Sequence, residues 1–130
     1  MLKALSITMI VFGAIGILTG LSDIVVPDMG AKMMGFTEAP DYVRWIAAMA
    51  GASYLAAGIW VIVASKDPIR HINWVKFEIT KALLFIAVTI YSLIRGYVSF
   101  SQVGAWLILF IIFAILLFVF YPWRYRVSTQ

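Results

Sequence analysis

The sequence contains no cysteine and a single histidine, His71, in 130 residues. The absence of cysteine excludes disulfide bonds, thiolate metal sites and thiol-based redox chemistry. One histidine cannot build a bis-histidine haem site or a multi-histidine metal centre within one chain. The zinc-protease pattern HExxH is also missing. We therefore expect no catalytic residues, no cofactor and no metal site, and we predict that the protein is not an enzyme.

Charged residues are scarce as well. They make up 12% of the chain, whereas apolar residues make up 64%. Soluble proteins average about 25% charged and about 45–50% apolar residues. A soluble domain of this size would leave much of that apolar surface in water. The composition therefore predicts a single transmembrane domain over residues 1–130, in contact with the lipid bilayer.

Four segments have the roughly 20 mostly apolar residues that a membrane-crossing helix needs. They cover residues 4–26, 42–64, 74–97 and 103–121. The connections after the second and third segments are short, so neighbouring helices should run antiparallel. The predicted fold class is an all-α integral membrane protein, an antiparallel bundle of four transmembrane helices. Residues 27–41 should form an interfacial segment with Met33, Met34 and Phe36 towards lipid.

The basic residues indicate an orientation, because cytoplasmic ends of spans carry more lysine and arginine. With the N-terminus inside, the inner ends carry Lys3, Lys66, Arg70, Lys76, Arg124 and Arg126, and the outer ends carry Lys32, Arg44 and Arg95. Both termini are therefore predicted to be cytoplasmic, in a multi-pass protein of the cytoplasmic (inner) membrane. Because these residues flank apolar runs, the net charge of +4 does not indicate nucleic-acid binding. Trp106 and the other aromatic residues near span ends fit an interfacial belt.

Small residues on the first two spans predict close helix packing, because glycine lets two backbones approach in lipid. The expected packing residues are Gly13, Gly16, Gly20, Gly51 and Gly58. The fourth span has no stripe of small or polar residues. We therefore expect it at the periphery, as a docking face for lipid or for a partner protein.

The third span carries a polar stripe that should face inward, and its first members are Glu78 and Lys81. These two residues are three positions apart on one helix face, where they can form a salt bridge. One interpretation is a self-satisfied pair that orients the helix. The other is a proton- or ligand-linked pair at the floor of a cavity. Tyr54, Thr89 and Ser92 would line the same inward surface.

A second candidate cluster lies at the outer end of the bundle. Asp23 and Arg44 lie on inward faces of the first two spans, and Arg95 lies close to the inward face of the third. We expect Asp23 to bridge to Arg44, to Arg95 or to both. The cluster is either a structural clasp or a site for an anion or a lipid headgroup, because two arginines outnumber one aspartate there.

Several segments in the first half of the chain resemble a known group. A glycine-rich first span runs into "VVP" at 25–27, and "APDYVRW" at 39–45 opens a second span with "GASYLAAG" at 51–58. In these features the chain resembles DoxX-like and related uncharacterised small four-helix bacterial membrane proteins. The resemblance implies a four-helix membrane fold and an accessory or membrane-anchoring role.

Two functions are compatible with these observations. The first is a non-catalytic structural or accessory subunit of a larger membrane complex, whose partners are other membrane subunits or further copies of the chain. The alternative is a small transporter or a lipid- or quinone-binding module that uses the polar stripe of the third span. The alternative requires a cavity among the helices, whereas tight packing without a void would exclude it.

Overall fold

The computed structural model describes residues 1–33, 35, 37 and 39–123, apart from the Tyr42 side chain. These residues form α1 (Leu2–Val25), α2 (Asp28–Met33), α3 (Asp41–Ala64), α4 (Ile72–Ile94) and α5 (Phe100–Val119). All of these helices except the short α2 are long and apolar enough to cross a membrane. The predicted all-α class with four membrane-spanning candidates is therefore confirmed. Among the residues named above, Met34, Phe36, Arg124 and Arg126 lie outside the described residues.

The helix ends differ from the predicted bounds where local hydrogen bonding decides them. The third long helix was predicted to reach residue 97, but α4 ends at Ile94 because Gly96 adopts a φ of +71°. The Gly96 N–H donates to the Leu93 carbonyl at 3.1 Å, and the Tyr97 N–H donates to the Ser92 carbonyl at 3.0 Å. These two bonds form a Schellman motif, which requires a left-handed residue where glycine is favoured.

The start of α5 is also set locally. The fourth span was predicted from residue 103, but the helix begins at Phe100. The Gln102 side chain accepts a hydrogen bond from the Ser99 N–H at 2.8 Å, as in a capping box. Because the first turn of this helix contains polar residues, a hydropathy pattern does not include that turn in the predicted span.

The long helices form two pairs. α1 packs chiefly on α3, and α4 packs chiefly on α5, whereas α3 and α4 contact each other over only a few residues. In the first pair the backbones touch. A Cβ atom on Gly20 would lie 2.5 Å from the Gly51 carbonyl oxygen, and one on Gly58 would lie 2.6 Å from the Gly13 carbonyl oxygen. Any larger residue at these two glycines would push the helices apart.

Gly16 is different from the other packing glycines. A Cβ atom there would lie 3.4 Å from the Tyr54 carbonyl oxygen, which is an ordinary van der Waals distance. In the sequence, Gly16 and Gly20 are equivalent, because together they form one GxxxG pattern of two glycines four positions apart. The structure makes Gly20 the tighter contact.

A buried core joins the two pairs near the N-terminal end of α1. Its members come from all four long helices and are Leu5, Met9, Phe12, Val61, Ala64, Val75, Phe113 and Leu117. The rings of Phe12 and Phe113 stack with their centroids 4.3 Å apart, which links α1 to α5. The Ser6 hydroxyl donates to the Ser65 carbonyl at 2.6 Å and ties α1 to the end of α3.

The prediction that the fourth span is peripheral is wrong. α5 contributes Phe113 and Leu117 to the core, and Leu117 is fully buried. The error arose because large apolar residues form no stripe of small or polar side chains that marks an inward face, although they pack well against other apolar side chains. The opposite face of α5 is exposed, and Ile112 belongs to it.

Candidate functional site: a cavity between the helix pairs

A cavity of about 300 Å³ lies where the two helix pairs separate beyond the shared core. All five helices contribute to its wall, and Phe12 and Lys81 mark the end nearest the core. Asp23 from α1, with Gly30 and Met33 from α2, marks the other end. Phe12 and Asp23 are eleven residues apart on α1, so the cavity follows the helix for about 16 Å, at about 1.5 Å per residue.

The cavity wall is mostly apolar and rich in aromatic rings. Tyr54 and Phe85 meet edge to face at 5.7 Å between centroids, and this contact connects α3 to α4. Phe85 and Phe110 lie 4.9 Å apart, and Trp106 stacks beside Phe110 at 6.4 Å. Thr19 and Thr89 add hydroxyl groups to the wall, although the Thr89 hydroxyl donates to the Phe85 carbonyl at 2.7 Å. Such a wall suits a lipophilic molecule that carries one polar group.

Glu78 and Lys81 form an ion pair at the end nearest the core. The Lys81 Nζ atom lies 2.7 Å from Glu78 Oε1 and 2.7 Å from Glu78 Oε2. The Glu78 side chain is 1% exposed and that of Lys81 is 19% exposed. Lys81 faces the cavity, but Glu78 is not among the residues that line it. The lysine therefore forms part of the cavity floor, and the glutamate lies behind it.

Two aromatic rings also lie close to the Lys81 ammonium group. Its Nζ atom lies 4.9 Å from the centroid of Phe12 and 5.6 Å from that of Phe77. The negative faces of these rings attract a cation. Together with Glu78, they stabilise a charge inside an otherwise apolar region.

The cluster expected at the outer end is built differently from the prediction. Arg44 pairs with Asp28 on α2, with Nε 2.8 Å from Oδ1, and with Asp41 in its own first turn, with Nη1 3.0 Å from Oδ1. Among the described residues Asp23 forms no ion pair, so the expected bridge from Asp23 to Arg44 is not present there. α2 packs on α1, and its first residue, Asp28, lies within reach of the arginine. Sequence alone gave no position for α2 relative to α3.

Arg95 is separate from this group. It follows the last residue of α4 and lies over the Tyr97 ring, with Cζ 5.8 Å from the centroid. Among the described residues it makes no salt bridge with Asp23. The structure thus brings Arg44 together with Asp28 and Asp41, and leaves Asp23 at the cavity wall.

The polar stripe of the third span predicted part of the cavity. Lys81, Tyr54 and Thr89 lie on its wall, whereas Ser92 does not. Sequence reasoning missed the contribution of α5, which supplies Trp106 and Phe110. Trp106 was assigned to an interfacial belt, but it lines the cavity. Its spacing of four from Phe110 on one helix face was the available signal.

No metal site is found among the described residues, which contain no group of three or more histidine, aspartate or glutamate residues that could hold an ion. Comparison with protein-family models, with curated proteins and with solved structures gives no match for this chain. The resemblance to DoxX-like proteins therefore stays a prediction.

Proposed function

We propose that this chain is a multi-pass membrane protein that binds a lipophilic small molecule in the cavity between its helix pairs. The observation that carries the proposal is the cavity of about 300 Å³, which has an aromatic wall and few polar groups. Small-molecule sites in proteins are concave and mostly apolar, have volumes of about 300–1,000 Å³, and use a few placed polar groups for orientation. The sequence analysis gave two forms of the alternative function, a small transporter and a lipid- or quinone-binding module. The proposal takes up the binding module.

A ligand dissolved in the bilayer would enter between α3 and α4. These helices have little contact with each other, and the Tyr54–Phe85 contact stands between that gap and the cavity. Nearer the buried core, the stacked rings of Trp60 and Trp74, 6.3 Å apart, connect α3 to α4. Rotation of the two rings at Tyr54 and Phe85 would open a lateral path without separating α1 from α3.

The proposed topology has antiparallel neighbouring helices and both termini in the cytoplasm, in the inner membrane. The order of contacts supports the antiparallel part, because Gly13 faces Gly58 whereas Gly20, further along α1, faces the earlier Gly51. The excess of lysine and arginine at the inner ends supports the orientation. A reporter enzyme fused at each terminus tests the orientation.

An accessory role in a larger membrane complex stays a prediction, with lipid or a partner protein on the exposed face of α5. A substitution at Ile112 tests this role, because Ile112 is 49% exposed on that face. Leu109 is unsuitable for the test, because it lines the cavity. If α5 is a docking face, Ile112→Lys should release co-purifying subunits without unfolding the bundle. Retention of those subunits would contradict the role.

Single-cysteine labelling tests the binding proposal, because the chain has no cysteine of its own. Thr89→Cys places a thiol in the cavity wall, and Ile90→Cys places one on the neighbouring exposed position. Each variant is labelled with methyl methanethiosulfonate in native membranes, and again after exhaustive detergent exchange and reconstitution into synthetic phosphatidylcholine. A resident molecule should slow labelling of Thr89→Cys in native membranes only. An equal rate for Thr89→Cys in both preparations, relative to Ile90→Cys, would contradict the proposal.

A further inference from the structure

The acidic and basic groups in the cavity wall and directly behind it are unequal in number. The acidic and basic side chains that line the cavity are Asp23 at one end and Lys81 at the other. Lys81 is neutralised by Glu78, which lies 2.7 Å behind it. Asp23 forms no ion pair within the part of the chain that the structure describes. Asp23, Lys81 and Glu78 together therefore comprise two acidic groups and one basic group, and the acidic group without an ion-pair partner among the described residues lies at the end that α2 covers.

The basic residues near Asp23 are engaged or lie elsewhere. Arg44 is held by Asp28 at 2.8 Å and by Asp41 at 3.0 Å. Lys32 is exposed on α2 and does not line the cavity, although its neighbour Met33 does. No described cation thus occupies the position opposite the Asp23 carboxylate.

The rest of the wall is suited to a positive charge. Tyr54, Phe85, Trp106 and Phe110 present aromatic rings along the cavity. Ring faces attract ammonium groups, most strongly where water is excluded. The same wall already holds one ammonium in this way, since the Lys81 Nζ atom lies 4.9 Å from the Phe12 centroid.

We propose that the cavity takes a small monovalent organic cation with a lipophilic body, and that the cationic group lies at Asp23. The body would lie among Phe85, Trp106 and Phe110, between Asp23 and the neutralised Lys81. The volume of about 300 Å³ is at the lower end of the range for small-molecule sites, so the cation is small. This inference rests on the proposed function and specifies the charge of the ligand.

Three probes of nearly equal shape separate charge from size. They are benzyltrimethylammonium, its neutral carbon analogue neopentylbenzene, and the anion benzylsulfonate. Binding is measured from the rise in melting temperature of the full chain in lipid nanodiscs, because a ligand of the folded state stabilises it by mass action. Concentrations are expressed per lipid, to correct for partitioning. We expect the cation to bind about tenfold more tightly than the neutral probe, and the anion to bind most weakly.

Asp23→Asn tests the residue with almost no change of shape. It should reduce the preference for the cation over the neutral probe to near onefold, while binding of the neutral probe stays unchanged. Asp41→Asn is the matched control, since it removes a carboxylate whose side chain is 96% exposed and which does not line the cavity. The control should keep the full preference.

The outcomes distinguish the two proposals. Equal binding of the neutral and cationic probes, or a cation preference that survives in Asp23→Asn, would overturn the inference and leave the cavity as a binding site. If none of the probes binds and Thr89→Cys is also labelled equally in both membrane preparations, the proposed function itself fails.

Discussion

Lys81 presents its ammonium group to the cavity, and Glu78 holds it from behind at 2.7 Å with a side chain that is 1% exposed. The pair is local, because the two residues are three positions apart on α4. The pair also lies where the buried core ends and the cavity begins. The pair is self-satisfied, as one sequence interpretation expected, and Lys81 lines the cavity. A link between the pair and a proton or a ligand stays a prediction.

Removing one member of this pair should be costly. Lys81→Met leaves the buried Glu78 carboxylate without its counter-charge, and we expect the free energy of unfolding to fall by about 3–5 kcal/mol. The double variant Glu78→Gln/Lys81→Met has neutral side chains of similar size and should recover most of that loss. Unfolding by SDS titration in mixed micelles provides the measurement.

Lys76→Met is the control for this comparison, because Lys76 is exposed on the same helix. Exposed charges contribute little, so this variant should change the free energy of unfolding by less than about 1 kcal/mol. If Lys81→Met behaves like Lys76→Met, the pair is not the buried unit described above.

The interface between α1 and α3 predicts opposite outcomes for two glycines of one motif. Gly20→Ala would place its Cβ atom 2.5 Å from the Gly51 carbonyl oxygen and 2.6 Å from the Leu55 amide nitrogen. These are backbone atoms that cannot rotate away, so we expect a loss of at least about 2 kcal/mol in stability. Gly16→Ala meets its nearest neighbour at 3.4 Å and should cost less than about 1 kcal/mol.

Thermal unfolding of both glycine variants in the same detergent checks this ranking. Equal melting temperatures for Gly16→Ala and Gly20→Ala would show that the helices can move apart freely. The close backbone contact at Gly20 would then not determine the packing.

The ion pair between Arg44 and Asp28 should tie α2 to the first turn of α3. Arg44→Gln removes this contact, and we expect faster amide hydrogen exchange at residues 28–33. The free energy of global unfolding should change by less than about 1 kcal/mol, because both side chains are partly exposed, at 42% and 30%. Mass spectrometry of peptides after exchange in nanodiscs resolves the segment.

Asp41→Asn removes the other acidic partner of Arg44 and leaves the contact with Asp28. Exchange at residues 28–33 should stay at the wild-type rate in this variant. Fast exchange in both variants, or in neither, would mean that the Arg44–Asp28 pair does not fix α2.

The fold was predictable from the sequence where one-dimensional patterns carry the information. Length and hydropathy located four long helices, and glycine spacing pointed to the face of α1 that meets α3. The contribution of α5 was not predictable in this way, because Phe113 and Leu117 look the same in a hydropathy pattern whether they face lipid or other helices. Only the three-dimensional packing places Phe113 against Phe12.

The candidate site was predictable only in part, for a related reason. The spacing of Glu78 and Lys81 on one helix defines their contact without knowledge of the rest of the fold. The partner of Arg44 depends on where the connection between α1 and α3 places Asp28, and no periodic sequence pattern encodes the geometry of a connection. The sequence therefore suggested a salt bridge between Asp23 and Arg44, whereas the structure places Asp23 at the cavity wall.

The most direct test of the account is native mass spectrometry of the untagged protein, extracted mildly from its own membrane. Wild-type protein should carry a bound small molecule, and Ile90→Trp, on the exposed face, should retain it. Thr89→Trp fills the cavity and should arrive without the molecule. A wild-type protein that carries no small molecule, or a Thr89→Trp variant that keeps it, would contradict the claim that the cavity between the helix pairs is the binding site.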